Sequence, residues 1–582
     1  MRHLLLTSCL LFTAACSAAV PQSVLYGTIS PHTNIDLWME SMSRWGVQRY
    51  YLYSTNYRGY QYQIHSPVQL GYDQSNFDSI AFLSELHPGY APFINREQVA
   101  QQERLIRQVD AACARHGLEF GYMIPFPLFP VQKLDIVRKV QPEFIGPDGR
   151  LDIAAPGIPG LLKTQVRLLK KNLPHLGSIC LWLAEGCGEI YKFQDDDLVH
   201  NDRWMRPILQ ALDEVCAEVG LEGVVFAHDY FHTVRTRSQS FAVIAEFPRI
   251  VLMEDITWPE ENTLMPFLGH FTAEDRRVLQ ATPLFVNALT DTEYLGQGNW
   301  PAVFTRWWQQ NAAAAHAARV RLIAGRTFFW DNARTDQNFN RLNAHLLTTF
   351  ARHPAADPRA ALADAAREAF GAGIPERLID LLWETEPIIQ DIVAINGMSP
   401  LNHSVFPRAY YLDRDYFTWP LAMKAVDDLF AAPGTRLAPP LSDDLTAGRY
   451  WRYERQTVAQ PYADYLAAKD RAIAFLERAV PEVETLAPAL TPVHRRMFVD
   501  GYRELLLLAR GMRCFVEAAQ VHHDWHRAKV IDRAECLRRM QPIAQKLCAL
   551  ANEDPGYALG HTAAMRQFAA EISTLTITKG RW

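Results

Sequence analysis

The stretch His175-Leu-Gly-Ser-Ile-Cys-Leu-Trp-Leu-Ala-Glu-Gly-Cys-Gly-Glu189 decides the fold of this 582-residue chain. Its run from Ser178 to Ala184 carries no charge and has the length of a strand covered on both faces, with Gly177 before it and Gly186 and Gly188 after it. Glu185 therefore falls where a buried strand stops. In α/β barrels the groups that do chemistry project from the carboxyl ends of the strands, which makes Glu185 a candidate for proton transfer.

Seven other apolar runs accompany this one: Val24 to Ile29, Val47 to Tyr53, Leu118 to Ile124, Gly223 to Ala227, Ile250 to Met253, Pro283 to Leu289, and Val320 to Trp330. Amphipathic stretches separate them. Arg96 to His116 puts Val99, Leu105, Ile106, Val109 and Cys113 on one face and ends at Gly117, and Trp204 to Val219 ends in the same way at Gly220. Strands that alternate with helices give a parallel sheet, and eight of them suffice for a closed (β/α)8 TIM barrel over residues 20–335. The long connections Ser54 to Pro92, Pro125 to Gly160 and Glu189 to Asn201 all follow a strand, the side on which barrels build active sites. They are rich in Tyr, Phe and Pro, as in Tyr57-Arg-Gly-Tyr-Gln-Tyr62 and Pro125-Phe-Pro-Leu-Phe-Pro130, and predict an aromatic-walled cleft. Beyond about Thr335 strand signals fade. Long amphipathic patterns, broken near Pro354, Pro407 to Asp413, Pro433 to Pro440 and Pro481 to Pro492, predict an α-helical C-terminal domain over 336–582.

A net charge of −6 and the lack of a lysine-rich tail exclude a phosphate polymer as an evident partner, so no nucleic acid is expected. Met1-Arg-His and the apolar run Leu4 to Ala15 read as a secretory leader over residues 1–19, too short to span a bilayer. Cleavage after Ala19, or a lipobox at Thr13-Ala-Ala-Cys16, leads to a periplasmic protein or to one held on the outer membrane by a lipid on Cys16. No later segment is apolar for long enough to cross a membrane. The cysteines beyond Cys16 (113, 180, 187, 216, 514, 536, 548) are too sparse for a disulfide scaffold and lack CxxC pairs. Cys180 and Cys187 are free thiols or, in an oxidising compartment, a bridge.

The residues that end the runs are acidic. Glu185 and Glu189 follow the fourth run, His228 and Asp229 the fifth, Glu254, Asp255, Glu260 and Glu261 the sixth, Asp291 and Glu293 the seventh, and Asp331 the eighth. Carboxylates facing one another across a cleft repel, which raises the pKa of one and equips it as a general acid while another stays ionised as a base. Glycoside hydrolysis uses that division. Tyr53, His228, Asp229, Trp258, Trp330 and Asp331 are candidates to contact the sugar; the 14 tryptophans and 22 tyrosines suit stacking on sugar rings but also fill cores. Each acid taken singly also fits a solvated loop or a helix N-terminus, most readily Glu189, Glu254, Glu261 and Asp291. No His/Asp pair has convincing ligand spacing, and the reading requires neither metal nor cofactor. His522 and His526, four apart, suit zinc in spacing but lack a third ligand. No nucleophile elbow or phosphate-binding loop appears. Arg58, Arg235, Arg237 and Arg326 are candidates for a uronate carboxylate.

From Val24 to Gly371 the chain resembles the bacterial α-glucuronidases of glycoside hydrolase family 67. Ala184-Glu185-Gly186 matches that family's Ser-Glu-Gly, which implies a general-acid role for Glu185. Thr292-Glu-Tyr-Leu-Gly-Gln297 matches its Gln-Glu-Tyr-Leu-Gly motif, which implies that Glu293 activates water. Asn338-Phe-Asn-Arg-Leu-Asn-Ala-His-Leu346, with Ala351 and Asp357-Pro358, looks like the start of that family's helical C-terminal domain. The family's second basic Asp falls in a motif replaced here by Glu254-Asp-Ile-Thr-Trp-Pro-Glu260, so either Asp255 or Glu260 takes that place. Its Trp-Arg-Ala-Phe-Val-Tyr stretch is replaced by Phe226-Ala-His-Asp-Tyr-Phe231, and its N-terminal β-rich domain has no counterpart in the sequence. The resemblance implies an exo-acting, inverting glycosidase on polysaccharide-derived oligosaccharides. A retaining barrel glycosidase, a surface glycan-binding lipoprotein without catalysis, and a uronate lyase stand as alternatives; carboxyls about 6.5–9.5 Å apart favour inversion, about 5–5.5 Å retention.

Overall fold

The computed structural model describes residues 21–29, 33–55, 87–126, 134–183, 201–227, 241–255, 282–327, 338–393, 401–412, 435–437, 455–457 and 461–576, with short interruptions. Eight parallel strands close into a barrel in sequence order: β1 (Gln22–Ile29), β2 (Arg49–Thr55), β3 (Glu119–Phe126), β4 (Leu176–Leu183), β5 (Glu222–Ala227), β6 (Val251–Asp255), β7 (Leu284–Ala288) and β8 (Leu322–Arg326). Each coincides with an apolar run read from the sequence. The barrel closes where Gln22 to Tyr26 of β1 pair with Leu322 to Arg326 of β8. From Ser178 to Trp182, β4 is buried on both faces, as its uncharged composition predicts.

Helices α1 (Ile35–Trp45), α2 (Arg96–Arg115), α3 (Leu134–Val140), α4 (Gly157–Asn172), α5 (Asn201–Val219), α6 (Thr305–Ala317) and α7 (Asn340–Arg352) run between or after the strands. Val99, Leu105, Ile106, Val109 and Cys113 of α2 are all buried. α2 ends as expected: Gly117 adopts φ +71°, the Leu118 N–H donates to the Cys113 carbonyl, and the chain turns straight into β3. The same closure ends α1 at Gly46 and α5 at Gly220. α7, which the sequence groups with the C-terminal helices, packs on β1 and β8 as the last helix of the barrel. Its Thr348 hydroxyl and the Arg352 guanidinium both donate to the Trp45 carbonyl at the end of α1, 2.5 and 3.1 Å away.

The amino-terminal mouth of the barrel is closed by charge. The Arg49 guanidinium, on a side chain 4% exposed, donates to Glu222 (2.6 Å), Glu119 (2.8 Å) and the Tyr51 hydroxyl (3.0 Å), and Arg321 also pairs with Glu222. Burial alone opposes the charge on Arg49, but Tyr51, Glu119 and Glu222 outweigh it and hold its pKa above the ordinary value.

The chain continues in α8 (Pro358–Phe370), α9 (Glu376–Val393), α10 (Pro461–Leu486), α11 (Pro492–His526), α12 (Arg533–Glu553) and α13 (His561–Thr574), with a short antiparallel pair, β9 (Thr435–Leu437) and β10 (Arg455–Thr457). On α11, Phe498, Tyr502, Leu505, Leu508, Met512, Phe515 and Ala519 recur at three and four positions and are buried along one stripe. α10 runs through Pro481 to Leu486, and the helical run breaks between Leu486 and Pro492, within the Pro481 to Pro492 span read from the sequence. Pro481 and Glu477, four residues before it, are both exposed, so the carbonyl freed by the missing N–H can turn to water. No described helix is long and apolar enough to cross a membrane. Cys113, Cys180, Cys216, Cys514 and Cys536 are free and buried, and Cys548 is free and exposed; Cys187, the possible partner of Cys180, lies outside the described residues.

Candidate active site

At the carboxyl ends of the strands, backbone register brings distant parts of the sequence level with one another. Leu183 of β4 pairs with Ala227 of β5, Ala227 with Glu254 of β6, and Asp255 with Asn287 of β7. On the far side, Ala288 pairs with Gly325 and Arg326 with Tyr26. Asp255 thus holds the last ladder position of its strand. Along the chain Glu185 comes two residues after β4 ends and Glu293 five after β7. Glu185, His228, Asp229, Trp258, Glu260, Glu293, Trp330 and Asp331 lie outside the described residues, as do Arg58, Arg235 and Arg237. Arg326, the described member of the four arginines, ends β8 with 7% of its surface exposed.

Just inside these ends the barrel is filled with aromatic rings. Tyr53 meets Trp182 edge-on at 4.5 Å, Trp182 stacks on Phe226 at 6.1 Å, and Phe226 meets Tyr26 edge-on at 6.2 Å. All four are buried. Tyr53, read from the sequence as a sugar contact, is packed against Trp182 and 6% exposed. Trp182 and Phe226 were legible only as strand residues; neighbouring strands at one register level are what bring them together. Such a layer keeps water out of this end of the barrel. Burial also pushes the Cys180 thiol up, so it stays protonated within the barrel.

The segment after β7 is fastened at many points. The Thr290 hydroxyl donates to the Arg326 carbonyl (2.5 Å), tying the segment to the end of β8. The Thr292 carbonyl accepts from the amides of Leu295 and Gln297, both at 2.8 Å, across the positions occupied by Glu293 and Tyr294 in the chain. The Thr292 hydroxyl donates to the Asn340 side-chain oxygen (2.8 Å) and accepts from the Gly298 amide (2.9 Å). The Gly296 amide donates to the Ser404 hydroxyl (2.7 Å). Trp300 stacks on His561 of α13 at 5.9 Å, and Asn343 of α7 accepts from the Phe304 amide and donates to the Ala302 carbonyl. Gly298 is obligatory: at φ +80°, a Cβ there would stand 1.9 Å from the Asn338 side-chain oxygen. The Asn338 to Asn343 stretch, matched above to the start of a helical domain, thus binds the segment that carries Glu293. Sequence reasoning missed this use of it; three asparagines within six residues, at 338, 340 and 343, were the available signal.

His522 and His526 stack ring on ring 5.2 Å apart at the end of α11, with His522 buried against Trp525. Among the described residues no group of three His, Cys, Asp or Glu side chains converges as a metal site would require.

No protein family matches the chain, and no curated protein matches it in sequence. Among solved structures it is similar to a GH138 enzyme targeting pectin rhamnogalacturonan II, with 11% identity and a TM-score of 0.60 over 92% of this chain and 62% of that one. The chain therefore spans less than two thirds of that enzyme's length. It is also similar to a family GH115 4-O-methyl-alpha-glucuronidase with specificity for decorated arabinogalactans, at 11% identity and a TM-score of 0.39 over 96% of this chain and 62% of that one. Dispersin B is similar at 10% identity and a TM-score of 0.33 over 57% of this chain and 98% of that one. The first likeness shows a shared fold over most of the chain.

Proposed function

We propose that this chain is a glycoside hydrolase that removes a sugar, of the uronic acid type, from polysaccharide-derived oligosaccharides by an inverting acid/base mechanism. The observation that carries the reading is the closed parallel barrel with a buried aromatic layer inside its carboxyl ends, in a sequence where Glu185, Asp255, Glu260 and Glu293 end or follow the fourth, sixth and seventh strands. The barrel fold shared with the GH138 enzyme supports it, as does the resemblance of the 184–186 and 292–297 stretches to the α-glucuronidase motifs. In this reading Glu185 protonates the departing glycosidic oxygen. Glu293, with Asp255 or Glu260, takes a proton from a water that attacks the anomeric carbon from the opposite face. The leader-like first 19 residues support export from the cytoplasm, with or without a lipid on Cys16.

The test is a screen of pectic and xylan-derived oligosaccharides bearing uronic acid side chains, with products identified by mass. One added water per cleavage is expected, and Glu185→Gln should lower turnover by roughly 10²- to 10⁴-fold while binding persists. Binding without any cleavage by the wild type overturns the reading in favour of a glycan-binding protein, and an unsaturated product in favour of a lyase. First appearance of the substrate's own anomeric configuration by proton NMR excludes inversion.

A further inference from the structure

We propose that His561 is a proton-operated clasp between the helical part and the barrel: as a neutral ring it ties segment 404–412 to α11 and α13, and on taking up a second proton it lets that segment go. The inference goes beyond the activity proposed above and stands without it. His561, at the first position of α13, is fully buried. Its Nδ1 accepts from the Phe406 amide (3.2 Å), and its Nε2 faces the Glu504 side chain of α11 at 3.4 Å, where Glu504 is 2% exposed. A neutral imidazole carries one N–H, so a ring that accepts at Nδ1 bears its proton at Nε2 and aims it at Glu504. Both ring nitrogens are thereby committed. A further proton can enter only at Nδ1, where it meets the Phe406 N–H and sets donor against donor. Protonation therefore turns the contact with Glu504 into an ion pair and breaks the one with Phe406.

What hangs on Phe406 reaches the barrel. Ser404, fully buried at φ +70°, holds a left-handed shape that its surroundings must impose. Its hydroxyl accepts from the Gly296 amide (2.7 Å) in the segment after β7, and four residues further on Trp300 stacks on the His561 ring at 5.9 Å. The Phe406 ring, also fully buried, meets Phe515 of α11 edge-on at 6.5 Å and Phe568 of α13 at 5.5 Å. Gly511 of α11 makes room for it: a Cβ there would stand 3.1 Å from that ring and 2.5 Å from the Met565 side chain. One imidazole thus joins α11, segment 404–412 and segment 296–304. Among the described residues Glu504 is the acid within 4 Å of His561; segment 404–412 presents a main-chain amide to it, and segment 296–304 the Trp300 ring.

The test follows the full-length protein from about pH 7.5 to about pH 5, across the range in which imidazoles titrate. With 15N-labelled histidine, His561 should show a bare Nδ1 and a protonated Nε2 at the upper end, and two protonated nitrogens at the lower. Over the same range the hydrogen-exchange protection of segments 404–412 and 296–304, corrected for intrinsic rates, should fall roughly 10-fold, the size expected from one buried donor left unpaired. His561→Asn sets an amide oxygen where Nδ1 stands and cannot titrate, so protection should stay high throughout. His561→Gln reaches Glu504 but offers no acceptor to Phe406, and protection should be low at both ends. Glu504→Gln removes the charge that favours the imidazolium and should move the fall to lower pH. A protonated Nδ1 at pH 7.5, a ring still neutral at pH 5, or an equal fall in His561→Asn overturns the proposal. Should His561→Asn not fold, the wild type decides: nitrogen shifts and protection that change together support the clasp, and protection that holds while the ring protonates refutes it.

Discussion

Replacing Arg49 by methionine should destabilise the protein by about 3 kcal/mol and leave the activity proposed for the opposite end of the barrel untouched. Removing one partner of a buried ion pair typically costs about 3–5 kcal/mol, because the other charge is left bare in a poor solvent. Two features of this cluster argue for the lower end. Glu119 keeps 37% of its side-chain surface in water, where an ion pair is worth no more than about 1 kcal/mol. Glu222, at 16% exposure, keeps Arg321 as a second partner and is not stranded. What remains is the loss of the hydrogen bonds to Glu222 and Tyr51 and of a guanidinium that is almost wholly buried. Urea unfolding followed by tryptophan fluorescence at pH 7 measures the loss. Adding Glu119→Gln to Arg49→Met should recover part of it, since the second change removes a charge that no longer has a partner. A loss below about 1 kcal/mol, or a fall in turnover with full stability, would refute the assignment of this end of the barrel to stability alone.

Two further outcomes follow from the helical part. Lys469 of α10 is fully buried, donates to the Asp391 carbonyl (2.7 Å), and is pushed by burial down to about 7, with Asp391 opposing that shift and Arg471 adding to it. Between pH 7 and the unfolded value of about 10.4 the unfolded chain binds the proton more tightly, so stability should rise with pH by up to ~1.4 kcal/mol per unit. Lys469→Met should flatten that rise between pH 7.5 and 9.5, and coinciding slopes would sink the argument. The Glu386 carboxylate of α9 accepts from the Arg306 and Trp307 amides at the start of α6 (3.1 Å each), while burial pushes its pKa up. Glu386→Ala should cost about 2 kcal/mol in urea unfolding and Glu386→Gln clearly less, because an amide oxygen still accepts one of these bonds.

The eight strands were legible because each is an apolar run of strand length bounded by turn residues, and burial on both faces leaves no other way to satisfy such a run. The α2 and α5 endings at Gly117 and Gly220 were equally plain. The break between α10 and α11 falls within the Pro481 to Pro492 span, and Pro481 itself stays inside α10 because its exposed surroundings let the freed carbonyl turn to water, a tertiary fact. For the site, the alternation of runs and acids was enough to place Asp255 at a strand end. The Tyr53, Trp182 and Phe226 layer depends on the stagger between strands that no single run encodes. Thr292 and Asn340 lie 48 positions apart and have meaning only once α7 has docked on β1 and β8. Asn340 in particular looks, in sequence, like an ordinary residue at a helix start.

Pairing of β1 with β8 has a price during synthesis. Gln22 to Tyr26 leave the ribosome about 300 residues before Leu322 to Arg326, the segment that must cover their second edge. At about 10 residues per second that edge waits about half a minute, flanked by Val24 and Leu25, which end fully buried. A nascent chain in this state offers an open template to any passing strand. Expression yield should therefore respond to trigger-factor-like chaperones, and to pauses in translation downstream of β1, more than the stability of the finished barrel would suggest.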